Sequence, residues 1–284
     1  YAIGSGNPGV VAAIFFILSL FTIPICGYLT YKLFHNFHVA LLASVLYSSS
    51  PLFQVFTRWL SNPLIALYIV PFLLLFLYKY IDKQKKKSSR GILLGLFFGL
   101  LIQADFAFGV FLITVPMYWF IYKIKFKLQD FIFFAAGLLL GLSTYILAEI
   151  RFNGKGILAM MNFFNSSFNS PRSPMETILL IIERANEFLS VSILPFSYAI
   201  LFFIILAGAF LLKGLKNKHD KNAIILLAIW LSTFFVFYLF KSGFLKSGFM
   251  FGPFLMPIII ILSYLLIHAV RNYKFLAVLL TCIF

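Results

Sequence analysis

The side chains of this chain that could do chemistry collect at a few points between long apolar runs. Arg58 and Asn62 lie in the polar, proline-bounded stretch Ser48–Pro63, and Gln103 and Asp105 bracket a short turn. Glu149 and Arg151 stand at the end of one apolar run, and Lys241 and Lys246 stand before Pro253. Together they supply cations, amides and carboxylates, a mixture that can hold a polar or charged ligand. Taken singly, each reads as a topological or snorkelling residue, its stem along apolar surface and its head in water. Ionisable groups at membrane depth are costly and count as functional candidates by default. What lifts these eight together is that the charge pattern of the chain puts all of them on one side.

Other chemistries find no support. His35, His38, His219 and His268 make no metal-ligand spacing, and nothing resembles a Ser/His/Asp set. Gly154-Lys155-Gly156 lacks the spacing and the preceding strand of a phosphate loop. Cys26 and Cys282 both sit in apolar runs and form no redox pair. No cofactor is recognisable, and use of a divalent metal stays open without a ligand set to support it.

The elements that must position these residues follow from composition. The 284 residues are 62% hydrophobic and 11% charged, whereas soluble domains are about half apolar and about a quarter charged. This is the composition of a multi-pass membrane protein. A formal charge of +15 raises nucleic acid as a partner, so the positions of the cations decide. Apolar runs approaching the roughly 20 residues that cross a bilayer are Pro8–Phe34, Leu64–Tyr80, Phe131–Ile150, Ile193–Leu212, Ala223–Phe240 and Phe249–Val270. Shorter or broken ones are Val39–Tyr47, Gly91–Gln103, Ala107–Tyr122 and Phe275–Phe284. The expectation is an all-α polytopic bundle of about ten spans, one domain over 1–284, with an outer-face helical segment over 151–192.

Of the 23 Lys and Arg, 16 fall in one set of alternate loops. The remaining seven, Arg58, Arg151, Lys155, Arg172, Arg184, Lys241 and Lys246, fall in the other. Positive residues are retained on the cytoplasmic side, so the first set is inside and the eight candidates face out. The positive charge is therefore mostly topological, and nucleic acid drops out as a partner. Asp105, Glu149, Glu176, Glu183 and Glu187 also face out, giving that side the mixed charge of a polar site.

Two local patterns are informative. Ser173-Pro174-Met175-Glu176 reads as a helix start, with Ser as cap, Pro in the first turn and Glu three residues after the cap. Downstream, Glu176, Glu183 and Glu187 share a face that excludes Ile178, Leu179, Ile182 and Leu189, as in a helix lying on a membrane surface or packed on the bundle. Gly156–Phe164 reads as a second such element. Gly91, Gly95 and Gly99 recur every four residues, as do Gly137 and Gly141, a spacing that lets helix backbones approach closely.

At this point the sequence resembles a known family. Tyr47-Ser48-Ser49-Ser50-Pro51-Leu52 followed by Thr57-Arg58-Trp59-Leu60-Ser61-Asn62-Pro63 is similar to the third-and-fourth-span region of GT-C membrane glycosyltransferases. The resemblance is to the bacterial branch related to protein O-mannosyltransferases and lipid A aminoarabinose transferases. Leu101-Ile102-Gln103-Ala104-Asp105 resembles the family's next span, with Asp105 where the family commonly has His. Gly141–Gly154 resembles its Pro-x-x-x-Phe-Glu-x-Arg-His segment: Glu149 and Arg151 match, Thr144 or Tyr145 replaces Pro, and Phe152 replaces His.

The resemblance implies transfer of a sugar from a polyprenyl-phosphate donor to a glycan, lipid or protein acceptor on the outer face of a bacterial plasma membrane. It implies cations such as Arg58, Arg151, Lys241 or Lys246 at the donor phosphate, which gains charge as its bond to the anomeric carbon breaks. It also implies a carboxylate acting as general base toward the acceptor hydroxyl. In the family that acid lies in the first outer loop, ahead of Pro8. The chain starts at Tyr1 and stops inside an apolar run, and is expected to be a piece of a longer protein whose base lies upstream of it. A lipid or solute transporter or flippase, built on broken helices around a midplane site, is the alternative. A non-catalytic membrane assembly subunit is the third reading.

Overall fold

The computed structural model describes residues 8–57, 65–81, 89–124, 128–168, 173–192, 218–239 and 251–272, and all regular structure in them is helical. The all-α expectation holds there. In chain order the α-helices are α1 (Pro8–Phe34), α2 (Phe37–Ser49), α3 (Pro51–Phe56), α4 (Ile65–Ile81), α5 (Ser89–Ala104) and, after a 3-10 segment (Phe106–Ile113), α6 (Thr114–Ile121). Then come α7 (Leu128–Gly141), α8 (Ser143–Arg151), α9 (Lys155–Phe168), α10 (Pro174–Ser192), α11 (Lys218–Leu239) and α12 (Gly252–Asn272). Among the described residues α1 alone is both long and apolar enough to cross a membrane unaided. Helices α2, α4 and α5, the stretch Phe106–Ile121 and the Gly252–His268 part of α12 are apolar but shorter.

One expected span is corrected. Phe131–Ile150 is not a single helix: α7 and α8 meet at Leu142 with a 59° bend. Leu142 has φ −94° and ψ 2°, the bridge region, although its N–H still donates to the Leu138 carbonyl at 3.0 Å and its carbonyl accepts from the Ile146 N–H at 2.9 Å. The spans at Ile193–Leu212 and Phe275–Phe284 lie outside the described residues.

Contacts sort the chain into two compact units. The first comprises Tyr1–Leu60, Ala185–Leu231 and Gly252–Phe284. Here α1 packs on α2, and α2 on α12. His35 takes up a left-handed φ of 50° to end α1. Asn36 then caps α2, its side-chain oxygen accepting from the N–H groups of His38 (3.0 Å) and Val39 (3.3 Å). Buried hydroxyls in α1 bond back to their own helix, Thr30 to the Cys26 carbonyl (2.7 Å) and Thr22 to that of Ser19 (2.6 Å), so these two hydroxyls are satisfied. The stretch Ser48–Pro63 begins as helix. Ser50 breaks α2 and caps α3 with Pro51 in the first turn, and its hydroxyl donates to the Ser192 carbonyl at 2.8 Å. Leu52, Phe53 and Phe56 are buried behind it. At one end of this unit the rings of His35 and His219 meet edge-on at 4.3 Å. The Tyr264 hydroxyl there donates to Asp220 at 2.9 Å.

The second unit comprises Ser61–Arg184 and Ser232–Phe251. Its densest pairing is α5 against α7, and the glycines account for it. A Cβ on Gly99 would lie 2.8 Å from the Cα of Gly141, and one on Gly91 would lie 3.2 Å from the Asp130 carbonyl oxygen. Gly95 and Gly137 meet the partner backbone more closely still, at Phe134 and Ile92. Glycines at this spacing let the two backbones fit in close van der Waals contact. On the other flank of α5 the ring of Phe97 stacks with those of Phe72 (5.8 Å) and Phe76 (5.2 Å) of α4. Arg90 closes the end of α4 by donating to the Lys79 carbonyl at 2.7 Å.

Candidate functional site

The glycine contact runs on into the candidate site. One turn beyond Gly99 is Gln103, and three residues beyond Gly141 is Thr144; the Gln103 side-chain amide donates to the Thr144 hydroxyl. Just past it, the Phe106 ring meets the Tyr145 ring edge-on at 4.4 Å and 67°. The structure therefore brings the Gln103–Asp105 turn against the start of the segment that carries Glu149 and Arg151. Both hydrogen-bonding side chains are solvent-accessible. The bond uses one amide hydrogen of Gln103, and its carbonyl oxygen retains its capacity to accept.

The two acids in this region each have a local structural task. Asp105 has extended backbone (φ −158°, ψ 130°) and caps the 3-10 segment, its carboxylate accepting from the Ala107 N–H at 2.9 Å. Burial pushes its carboxyl above the usual aspartate range, and the Ala107 N–H offsets part of that rise. Glu149 reaches forward over the next turn, where its carboxylate accepts from the Ile157 N–H at 3.1 Å in the first turn of α9. A carboxylate is favourable there because the first N–H groups of a helix lack intrahelical partners. Tyr145, one turn before Glu149 on α8, hydrogen-bonds the same carboxylate.

The turn from α8 into α9 is closed by its backbone. Asn153 (φ 53°) and Gly154 (φ 72°) are both left-handed. Gly154 N–H donates to the Glu149 carbonyl at 2.8 Å and Asn153 N–H to that of Ile150 at 3.4 Å, the paired bonds of a Schellman ending. Arg151, in the last turn of α8, is exposed, its guanidinium 5.8 Å from the Phe152 ring centre. Of the remaining sequence candidates, Arg58, Asn62, Lys241 and Lys246 lie outside the described residues.

Sequence reasoning passed over three side chains. Thr144 and Tyr145 figured only as replacements for a family proline, although Tyr145 and Glu149 are four residues apart and so share a helix face. Arg184 of α10 was counted only as a topological charge. Its side chain is 12% exposed and lies 3.5 Å from Glu183, itself 67% exposed; no spacing rule signals that burial. The capping box at the start of α10 is as expected: Glu176 N–H donates to the Ser173 hydroxyl (3.2 Å), and Ser173 N–H to the Glu176 carboxylate (2.9 Å). Of the apolar positions on that helix, Ile178, Leu179 and Ile182 are exposed while Leu189 is buried.

Among the described residues no three His, Cys, Asp or Glu side chains group closely enough to hold a metal ion. Compared with family models, with curated proteins and with solved structures, the chain finds no match.

Proposed function

We propose that this chain belongs to a multi-pass membrane glycosyltransferase that moves a sugar from a polyprenyl-phosphate carrier to a glycan, lipid or protein acceptor, working at the outer face of a bacterial plasma membrane. One observation carries the reading. The two segments whose sequences resemble the GT-C family, Gln103–Asp105 and Gly141–Gly154, converge through Gln103 and Thr144. In this reading the Gln103 carbonyl and the Tyr145–Glu149 pair line the sugar side of the site. Arg151 supplies positive charge to the donor phosphate, where it stabilises the charge that builds on the leaving group; the sequence resemblance alone gives Arg58, Lys241 and Lys246 that role. A carboxylate serves as general base toward the acceptor hydroxyl in this reading.

Sugar transfer from a polyprenyl-phosphate donor in proteoliposomes tests this. Gln103→Ala is expected to lower transfer by about tenfold, the worth of one hydrogen bond to substrate, and Arg58→Ala to lower it at least as far. Transfer at the native rate in well-folded protein with both changes would sink the assignment. The break at Leu142 favours a second reading, since transporters place interrupted helices around their substrates. Movement of a labelled lipid or solute across the bilayer without any transfer product would support that one instead.

A further inference from the structure

We propose that α8 and α9 form an elbow that rests on an anionic membrane surface, with its apolar sides in the acyl boundary and its turn against lipid phosphates. The argument starts from what does not cover these helices. They are 9 and 14 residues long, α8 has no buried residue, and every described side chain of α9 is exposed. Helices this short are marginal in water and depend on packing of an apolar face.

Each helix has such a face. Leu147 and Ile150 of α8 are 66% and 70% exposed, and Leu158 of α9 is 59% exposed with Ile157 and Met161 beside it at helical spacing. Two observations name the occupant. Leu139 and Leu140 in the last turn of α7 are also exposed, and α8 leaves the α7 axis at a 59° bend. The turn joining the two short helices carries Arg151 and Lys155, both exposed, cations that complement lipid phosphate. The nearby acid, Glu149, is held by the Ile157 N–H and the Tyr145 hydroxyl. Apolar side chains below and cations at the rim are the complement of an anionic headgroup layer. This inference rests on the membrane reading; it shares Arg151 with the proposed donor-phosphate site, whereas Lys155 and the apolar sides of α8 and α9 belong to the elbow alone.

Nitroxide labels on the full chain in lipid nanodiscs test it, in a Cys26→Ala, Cys282→Ala background. Leu147→Cys and Leu158→Cys report on the elbow, and Leu139→Cys on α7. The elbow labels are expected to be relaxed by oxygen more than by a water-soluble nickel chelate, at a depth of about 5–10 Å below the headgroups. Replacing anionic by zwitterionic lipid is expected to make them shallower in the native chain and to change nothing in an Arg151→Gln, Lys155→Gln chain. Nickel-dominated relaxation at both elbow positions, with Leu139→Cys still in lipid, overturns the elbow and leaves the membrane reading standing. Nickel access at all three overturns the membrane reading itself. Spin–spin broadening at Leu158→Cys would put a second copy over the face and overturn the lipid assignment, as would a depth in the native chain indifferent to lipid charge.

Discussion

Gly99 of α5 and Gly141 of α7 approach so closely that a Cβ on the first would lie 2.8 Å from the Cα of the second. This contact sets the distance between the two helix ends that carry Gln103 and Thr144. Helix packing and the candidate site are therefore one piece of geometry, and a change in the first is read out in the second.

A side chain at this contact must separate the backbones, because both neighbours are main chain with no flexible tip to give way. Gly99→Leu is expected to destabilise the protein by about 1–3 kcal/mol, the usual range for overpacking, and to break the Gln103–Thr144 bond. Thermal unfolding in detergent measures the first, and transfer activity the second. Gly109, with open space around the position of its Cβ, is the control, and Gly109→Ala should change neither.

Asp105 makes stability depend on pH with a definite sign. Its carboxyl titrates above the ordinary value of 3.8 in the folded chain, because burial penalises the charged form. The folded state thus holds the proton more tightly than the unfolded state. This contribution to stability is fully present below the unfolded value and is lost as pH rises through the folded one. Asp105→Asn keeps an oxygen for the Ala107 N–H and is expected to flatten this dependence. Asp105→Ala loses the cap and should cost about 1 kcal/mol. Unfolding midpoints from pH 3.8 upward distinguish the three chains.

Gly156 gives access to Glu149 without touching it. A Cβ at Gly156 would run into the Glu149 carboxylate, the far end of a flexible side chain that can swing aside. Gly156→Ala is therefore expected to displace Glu149 from the Ile157 N–H, a lost cap of about 1 kcal/mol offset by the similar helix preference of Ala over Gly, so that the unfolding midpoint changes little. Reduced transfer with an unchanged midpoint would show that the position of Glu149 matters to the site. Native transfer would mark Glu149 as a helix cap only.

Trp230 is fully buried, and its indole N–H donates to the Pro253 carbonyl at 2.9 Å. Trp230→Phe keeps most of the ring but leaves that acceptor unsatisfied, for a loss of about 1–3 kcal/mol. The destabilisation should exceed that of Phe98→Leu, which removes only apolar packing in the second unit. A smaller effect at Trp230 would mean that the carbonyl finds another donor.

Several elements were legible in the chain because their signals are local. The capping box at Ser173–Glu176 and the glycine repeats work through neighbours within one or two turns, and each is found where its residues stand. The break at Leu142 was not legible. Leu142 is an apolar residue in an apolar run, and hydropathy registers depth in lipid but not helix direction. Asp105 and Glu149 were legible as polar groups on one face, yet not as caps, since each bonds a backbone N–H that becomes available only when the next helix begins.

The sequence by itself determined the helical class, the apolar character and the glycine faces, because composition and periodicity act residue by residue along one helix. Which glycine faces meet, and therefore which polar residues meet beyond them, was decided only in the tertiary structure. Gly99 and Gly141 pair because neither carries a Cβ to hold the backbones apart, and that pairing alone brings Gln103 to Thr144 across 41 residues of chain.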